Sequence, residues 1–423
     1  QKIKINPKKL KPFISKVKIK PVKYKNIITK IENLLKKSKK PVIILGGGIK
    51  YGKAELNLID FLKIFKIPIV ATWSGVDLID YNNKFYIGTV GVYGSRAANF
   101  TVQNSDLIFC LGTRLDTRVT GGMPKSFARN AKKIVVDIDK YELEKKRGLK
   151  IDLKIHADIK SFFLNYIKYK KDIISRNEWM LRSKEWKNKY PIILKEFFKE
   201  KKSVNPYVFM DKLSKILNNK DIIIGDTGAH LTWLVQTIKI KLGQKLFSAF
   251  GNSPMGYALP ASIGASIARN KKRIICINGD GSIQFNFQEL HTVDKLKLPV
   301  KIFIFNNNGY GIIKQFQELY LDKRYEATGK GVSNPDFEKI SKAFNISYNL
   351  IKSHNELKKL DKIINSKKAE IIEVSIKNNQ KIIPKLQFGN PIEDLSPLLS
   401  RKEFYKNMDI LLIKRDKKIL ESN

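Results

Sequence analysis

Residues 277–311 read INGDGSIQFNFQELHTVDKLKLPVKIFIFNNNGYG. Two polar turns stand out, GDG at 279–281 and NNNG at 306–309. Each directly follows a short apolar run, RIICIN or VKIFIF. Runs of that length, rich in β-branched and aromatic residues and closed by turn residues, are written like buried strands. The segment between them, SIQFNFQELHTVDKLKLP, has the length of one crossover helix. Strand, helix and strand in that order give two parallel neighbours. Both turns then fall at carboxyl strand ends, where open α/β sheets present their ligands.

That placement has a chemistry. The Asp280 carboxylate, the Asn307 amide oxygen and a nearby backbone carbonyl are hard oxygen donors. They are too few for a calcium cage. They suit an octahedral Mg²⁺ that completes its shell with phosphate and water. Gly279 and Gly281 let the backbone approach closely, and the N–H groups at the start of the next helix suit a diphosphate. Taken singly, GDG is a common turn, NNNG a loop, and Asp280 a helix cap. Their joint position at neighbouring strand ends favours a site.

Outward from this stretch the same rhythm repeats. PVIILGGG (41–48), IPIVATW (67–73), DLIFCLG (106–112) and KIVVDID (133–139) are strand candidates separated by helical patterns. DIIIGDTG (221–228) and AEIIEVSI (369–376) continue it in the second half. The fold class is therefore α/β, with two doubly wound parallel-sheet domains. The expected division is 1–160 for a Rossmann-like domain, 161–202 for a charged, aromatic-dotted helical linker, 203–385 for the second domain and 386–423 for a C-terminal tail.

The 423 residues carry a formal net charge of +42. Nucleic acid is not the expected partner. Only 12 of the 81 basic residues are arginine, and the lysines are scattered rather than striped. No apolar run reaches the ~20 residues of a membrane span. Cys110 and Cys276 sit singly in strand-like runs, without a CxxC pair. Buried free thiols and a cytoplasmic location are expected.

The motif pair resembles the thiamine diphosphate signature, and the whole of about 40–385 is similar in motif order to acetolactate synthase large subunits. The resemblance implies Mg²⁺ held by Asp280, Asn307 and the carbonyl of Gly309. It implies thiamine diphosphate contacts from Gly228, Ala229 and His230 in IGDTGAHLTW, where Ala229 replaces a common Gln. Further contacts fall on Ser253, Pro254, Met255, Gly281, Ser282, Asn308, Tyr310, Gly311 and Ile312, with Met255 beneath the bent cofactor. Phe316 stands where acetolactate synthases have an aromatic, typically Trp, lining the acceptor site. Thr72, Tyr93, Gly94, Arg114, Asp116, Asp137 and Asp158 match flavin-contacting positions, so the first domain holds either FAD or an empty structural fold. His291 and Glu289 read as ordinary helix residues.

The implied reaction decarboxylates pyruvate and hands the two-carbon unit to a second 2-oxo acid, as in branched-chain amino-acid biosynthesis. A keto-sugar acceptor, as in related carboligases of polysaccharide gene clusters, and simple decarboxylation are the alternatives. The family's activating Glu lies on a pyrimidine-binding domain that precedes the middle domain. The sole acidic residue within 1–40 is Glu32, in a helix-like segment. No catalytic residue is therefore assigned in this chain. The expectation is a fragment of a longer enzyme, a homo-oligomer, or a subunit whose partner supplies that domain. A non-catalytic cofactor-binding chain is the reading from another class.

Overall fold

The computed structural model describes residues 22–170, 172–329 and 331–411, together with 6 and 9–11. The first sheet has six parallel strands: β1 (Pro41–Leu45), β2 (Ile69–Ala71), β3 (Tyr86–Thr89), β4 (Leu107–Leu111), β5 (Lys132–Asp137) and β6 (Leu153–His156). Their spatial order is β3-β2-β1-β4-β5-β6. The order reverses between β1 and β4, which opens a crevice at the carboxyl ends of those strands. Alternate residues of β1 enter different cores, Ile43 and Leu45 on one face, Val42 and Ile44 on the other. Both faces are covered, which is why these strands read as unbroken apolar runs.

α1 (Tyr24–Lys37) lays Ile28, Ile31 and Leu35 on the sheet, a helical stripe. α2 (Arg96–Gln103) covers the opposite face and is buried along its whole length. The segment 161–202 does not simply bridge. α3 (Ile159–Tyr169) buries Phe162, Phe163 and Tyr166 against Phe61 and Phe109. α4 (Asn177–Lys189) places Trp186 against Phe100 of α2.

The second sheet holds β7 (Ile222–Gly225), β8 (Lys245–Phe247), β9 (Ile274–Gly279), β10 (Val300–Asn306), β11 (Ser347–Ile351) and β12 (Glu370–Ser375), all parallel. Their order is β8-β7-β9-β10-β12-β11, with the reversal between β7 and β9. The neighbours β9 and β10 are the two strands that the opening stretch required. The helices that flank this sheet's carboxyl ends are α5 (Ala229–Thr237), α6 (Ala258–Ala268), α7 (Glu289–Lys295) and α8 (Gly311–Tyr320).

The C-terminal segment returns to the first sheet. Leu386, Ile392, Leu395 and Phe404 are buried in the same cluster as Phe100 and Trp186. Glu393, fully buried, takes hydrogen bonds from Arg129 Nη1 at 2.7 Å and from Gln103 Nε2 at 2.5 Å. Residues 412–423 of the expected tail lie outside the described residues. Cys110 and Cys276 are buried and free. Burial pushes the Cys276 thiol up to about 12. No helix among the described residues is long and apolar enough to cross a membrane.

Candidate functional site

The β9 and β10 turns meet directly. Asp280, 2% exposed, accepts the Gly309 N–H on Oδ2 and the Gly281 N–H on Oδ1, both at 2.9 Å. The turn that delivers Gly309 needs positive φ at Asn308 (53°) and at Gly309 (145°). A chain of β-branched residues could not make it. Burial raises the Asp280 carboxyl above its usual range, against the pull of these donors. Asn307 is buried, and its backbone carbonyl accepts from Asn378 Nδ2 at 3.0 Å, which leaves its side-chain amide oxygen out of that bond. The Gly309 carbonyl accepts the Gly311 N–H at 3.1 Å, which leaves one lone pair. Among the described residues no group of three or more His, Cys, Asp or Glu could hold a metal. A cation here would rest on one carboxylate, neutral oxygens and the oxygens of its ligand, the pattern of Mg²⁺ on a phosphate.

The β7 end lies alongside. His230 is wedged between two glycines. A Cβ on Gly228 would stand 2.5 Å from its Cε1, and one on Gly279 would stand 2.7 Å from its Nδ1. Its Nε2 is buried with no hydrogen-bond partner, as is Thr227 Oγ1. Desolvation lowers the His230 pKa to about 3, so the ring is neutral. Two orphaned polar atoms beside a cradle of glycines are what a phosphoryl group would satisfy. The residues present thus fit a diphosphate with its metal.

The 253–256 loop closes the next side. Gly256 has φ +85°, and a Cβ on it would stand 2.7 Å from Phe285 Cβ. Met255 is half-buried and Pro254 exposed. Ser253, at φ +53°, accepts from Arg118 Nη2, while Arg118 Nη1 donates to the Phe250 carbonyl at 2.7 Å. Tyr310 lies against Gly281, where a Cβ would sit 2.3 Å from its ring. A Cβ on Gly311 would be 3.6 Å from Ala229 Cβ. Ile312 packs on the core, and Asn308 is exposed. Ser282 turns inward, its oxygen accepting the Gly279 N–H at 3.0 Å. The fold therefore gathers 228–230, 253–256, 279–282 and 307–312 into one region.

Three partners were missing from the sequence reading. Asp226, fully buried, accepts N–H groups of Thr227 (2.8 Å), Gly256 (3.0 Å) and Ala258 (2.7 Å), and so ties β7 to the Met255 loop. Its signal was visible, since Gly225-Asp226 ends a strand as Gly279-Asp280 does. Asn334 donates to Asp280 Oδ2 at 2.9 Å from 54 residues away. Arg118 crosses from the first sheet to Ser253. Nothing local marks the last two.

Phe316, 37% exposed, touches Tyr320 (ring centroids 4.9 Å) and Phe388 (5.8 Å). Glu32 is held by Tyr166 Oη at 2.7 Å and by Lys170 Nζ, so it is occupied within the first domain. His291 is exposed, and Glu289 accepts from Thr292.

In the first domain, a cleft of about 810 Å³ lies where β1 and β4 diverge and reaches the 248–252 loop of the second. Thr72, Arg114, Asp116, Asp137 and Asp158 line it. Tyr93 and Gly94 are not among its lining residues. Tyr93 stacks on Trp73 at 5.5 Å, and Gly94 sits in a turn where a Cβ would meet Gly91 N at 2.6 Å. Asp116 and Asp158 also cap helices, accepting from Arg118 N and Ser161 N. Desolvation raises the Asp137 carboxyl.

Comparison with known proteins agrees with this architecture. Residues 28–165 match the thiamine pyrophosphate enzyme central domain, and 226–374 match the thiamine pyrophosphate enzyme C-terminal TPP binding domain. The chain belongs to the thiamine pyrophosphate enzymes. It is similar to the acetolactate synthase large subunit of Cyanidium caldarium, 33% identical over 85% of this chain and 61% of that protein. It is similar to the acetolactate synthase isozyme 2 large subunit of Escherichia coli (strain K12), 30% identical over 87% and 65%. A probable acetolactate synthase large subunit of Methanocaldococcus jannaschii is 32% identical over 81% and 58%. The chain therefore spans roughly three fifths of the length of these relatives.

Proposed function

We propose that this chain carries the diphosphate-binding half of an acetolactate synthase-like enzyme, which decarboxylates pyruvate and transfers the two-carbon unit to a second 2-oxo acid. The observation that carries the reading is the Asp280–Gly309 contact beside the unpartnered Nε2 of His230. In this reading the Asp280 carboxylate, the Asn307 amide and the Gly309 carbonyl hold Mg²⁺ against the diphosphate. Neutral His230 and the N–H groups near Gly228 and Gly281 receive phosphoryl oxygens. Met255, on the loop that Asp226 anchors, supports the cofactor's bend. Thiamine diphosphate, when bound, supplies the carbon that adds to the 2-oxo acid and stores the electron pair left when CO₂ departs. The protein's part is to orient it, exclude water and stabilise charge.

The activating carboxylate is proposed to come from a pyrimidine-binding domain outside the described residues, in the same polypeptide or in a partner within an oligomer. The cleft of the first domain is proposed as the FAD site. Its place at the strand-order reversal supports this, and an empty cleft is the alternative. Phe316 supports a second reading of the acceptor, a keto sugar, because a partly exposed Phe replaces the usual Trp.

The test combines binding and chemistry. Thiamine diphosphate should bind in Mg²⁺ and be released by a chelator. With the pyrimidine-binding domain supplied, in the same polypeptide or by a partner, pyruvate would then be offered alone, with a second 2-oxo acid, or with a keto sugar, and the products identified by mass spectrometry. Metal-independent binding would remove the site assignment. A keto-sugar adduct without acetolactate would replace the acceptor.

A further inference from the structure

Asn334 lies just before Pro335, and Asp336 caps the next helix by accepting from Lys339 N at 3.0 Å. On the C-terminal side of Asn334 the chain is thus held by the fixed φ of Pro335 and then by a helix start. Its Nδ2 reaches three acceptors: Asp280 Oδ2 at 2.9 Å, Asn306 Oδ1 at 3.0 Å and Asn308 Oδ1 at 3.4 Å. Its Oδ1 accepts from Gln284 Nε2 at 3.2 Å, which also donates to the Asp280 carbonyl at 3.0 Å. Carboxylate and carbonyl of one residue are therefore framed together.

The polarity of this frame is set further back. A primary amide can present either end, and neighbours decide which. Glu373 Oε1 accepts from Asn306 Nδ2 at 2.8 Å, and Oε2 accepts from Tyr348 Oη at 2.6 Å. An ionised carboxylate only accepts. Asn306 must give it Nδ2, so its Oδ1 faces the site, where it takes Asn308 N at 3.0 Å as well. Asn334 must then turn its own NH₂ toward Asn306 and Asp280.

We propose that Asn334 is a positioning residue for the metal-binding carboxylate and that Glu373, two hydrogen bonds away, fixes its orientation. This rests on the assignment of Asp280 to Mg²⁺. With Oδ2 tethered to Asn334 and Gly309 and Oδ1 to the Gly281 N–H, the carboxylate keeps one rotamer and leaves one lone pair, on Oδ1, for a cation. Partners of this kind typically contribute about 10–100-fold in metal affinity.

The experiment is calorimetric binding of thiamine diphosphate across a range of Mg²⁺ concentrations. Asn334→Leu, nearly isosteric but without donors, should raise the half-saturating Mg²⁺ by about 10–100-fold. Binding at saturating Mg²⁺ should return to within about 3-fold of wild type, which damage to the fold would not allow. Glu373→Gln, which lets Asn306 turn, should give a smaller shift in the same direction. Unchanged Mg²⁺ dependence in both variants, or binding lost at every Mg²⁺ concentration in both, would overturn the proposal. Asp280→Asn separates the two failures. If it too leaves Mg²⁺ dependence unchanged, the metal assignment itself is wrong. If it alone abolishes that dependence, only the positioning role fails.

Discussion

The buried ring of His230 makes a pH prediction whose size follows from its surroundings. The unfolded chain protonates an ordinary histidine near pH 6.5. The folded one resists down to about 3, because desolvation between Gly228 and Gly279 disfavours the charge. The folded pKa is depressed, so the unfolded state binds more protons below pH 6.5. Stability must therefore fall as pH falls through that window. Across the whole window the loss is about 5 kcal/mol, of which about 2 kcal/mol falls between pH 7 and pH 5. Removing the titrating group by His230→Gln removes this slope. Urea unfolding of both proteins at pH 7 and pH 5 measures it, since the fixed cost of the substitution cancels in the difference. The other three of the four histidines remain in both proteins. Wild type should lose about 2 kcal/mol more than the variant over that interval. Equal losses, within about 0.5 kcal/mol, would refute the picture of a buried neutral ring.

Other consequences are as direct. With thiamine diphosphate and Mg²⁺ at about 100 times Kd, wild type should gain about 2.7 kcal/mol in a thermal-shift titration, and Asp280→Asn should gain none. Gly279→Ala places a methyl 2.7 Å from His230 Nδ1 inside a closed region. It should cost about 1–3 kcal/mol by urea unfolding, and a neutral effect would contradict the wedge. Arg129→Met strands the fully buried Glu393 carboxylate with only Gln103 for a side-chain partner. The expected loss is about 3–5 kcal/mol, and a cost below about 1 kcal/mol would mean that the C-terminal segment is not docked as described. Phe316→Trp should raise the ratio of acetolactate to keto-sugar product when both acceptors compete, and an unchanged ratio would remove Phe316 from the acceptor site.

Much of this molecule was legible in one dimension because its signals are local. Strand runs closed by Gly, Asp and Asn turns are short patterns, and the strand–helix–strand length between GDG and NNNG leaves few ways to arrange them. The two turns accordingly lie together at neighbouring strand ends, where the Gly309 N–H reaches Asp280. The α/β class followed from unbroken apolar runs, which parallel strands need because both faces are covered. Tertiary structure alone decided the rest. Asn334, Asp226 and Arg118 act through partners 54, 30 and 135 residues away. A hydrogen bond across such a distance has no periodicity, and many chain paths could close the same loop at similar entropic cost. The same holds for Leu386 to Phe404, whose apolar residues looked like a tail until the first sheet was there to bury them. Phe316 shows the boundary most clearly. Its identity is plain in the sequence, but its partners Tyr320 and Phe388 come together only when the helix and the returning segment are packed side by side.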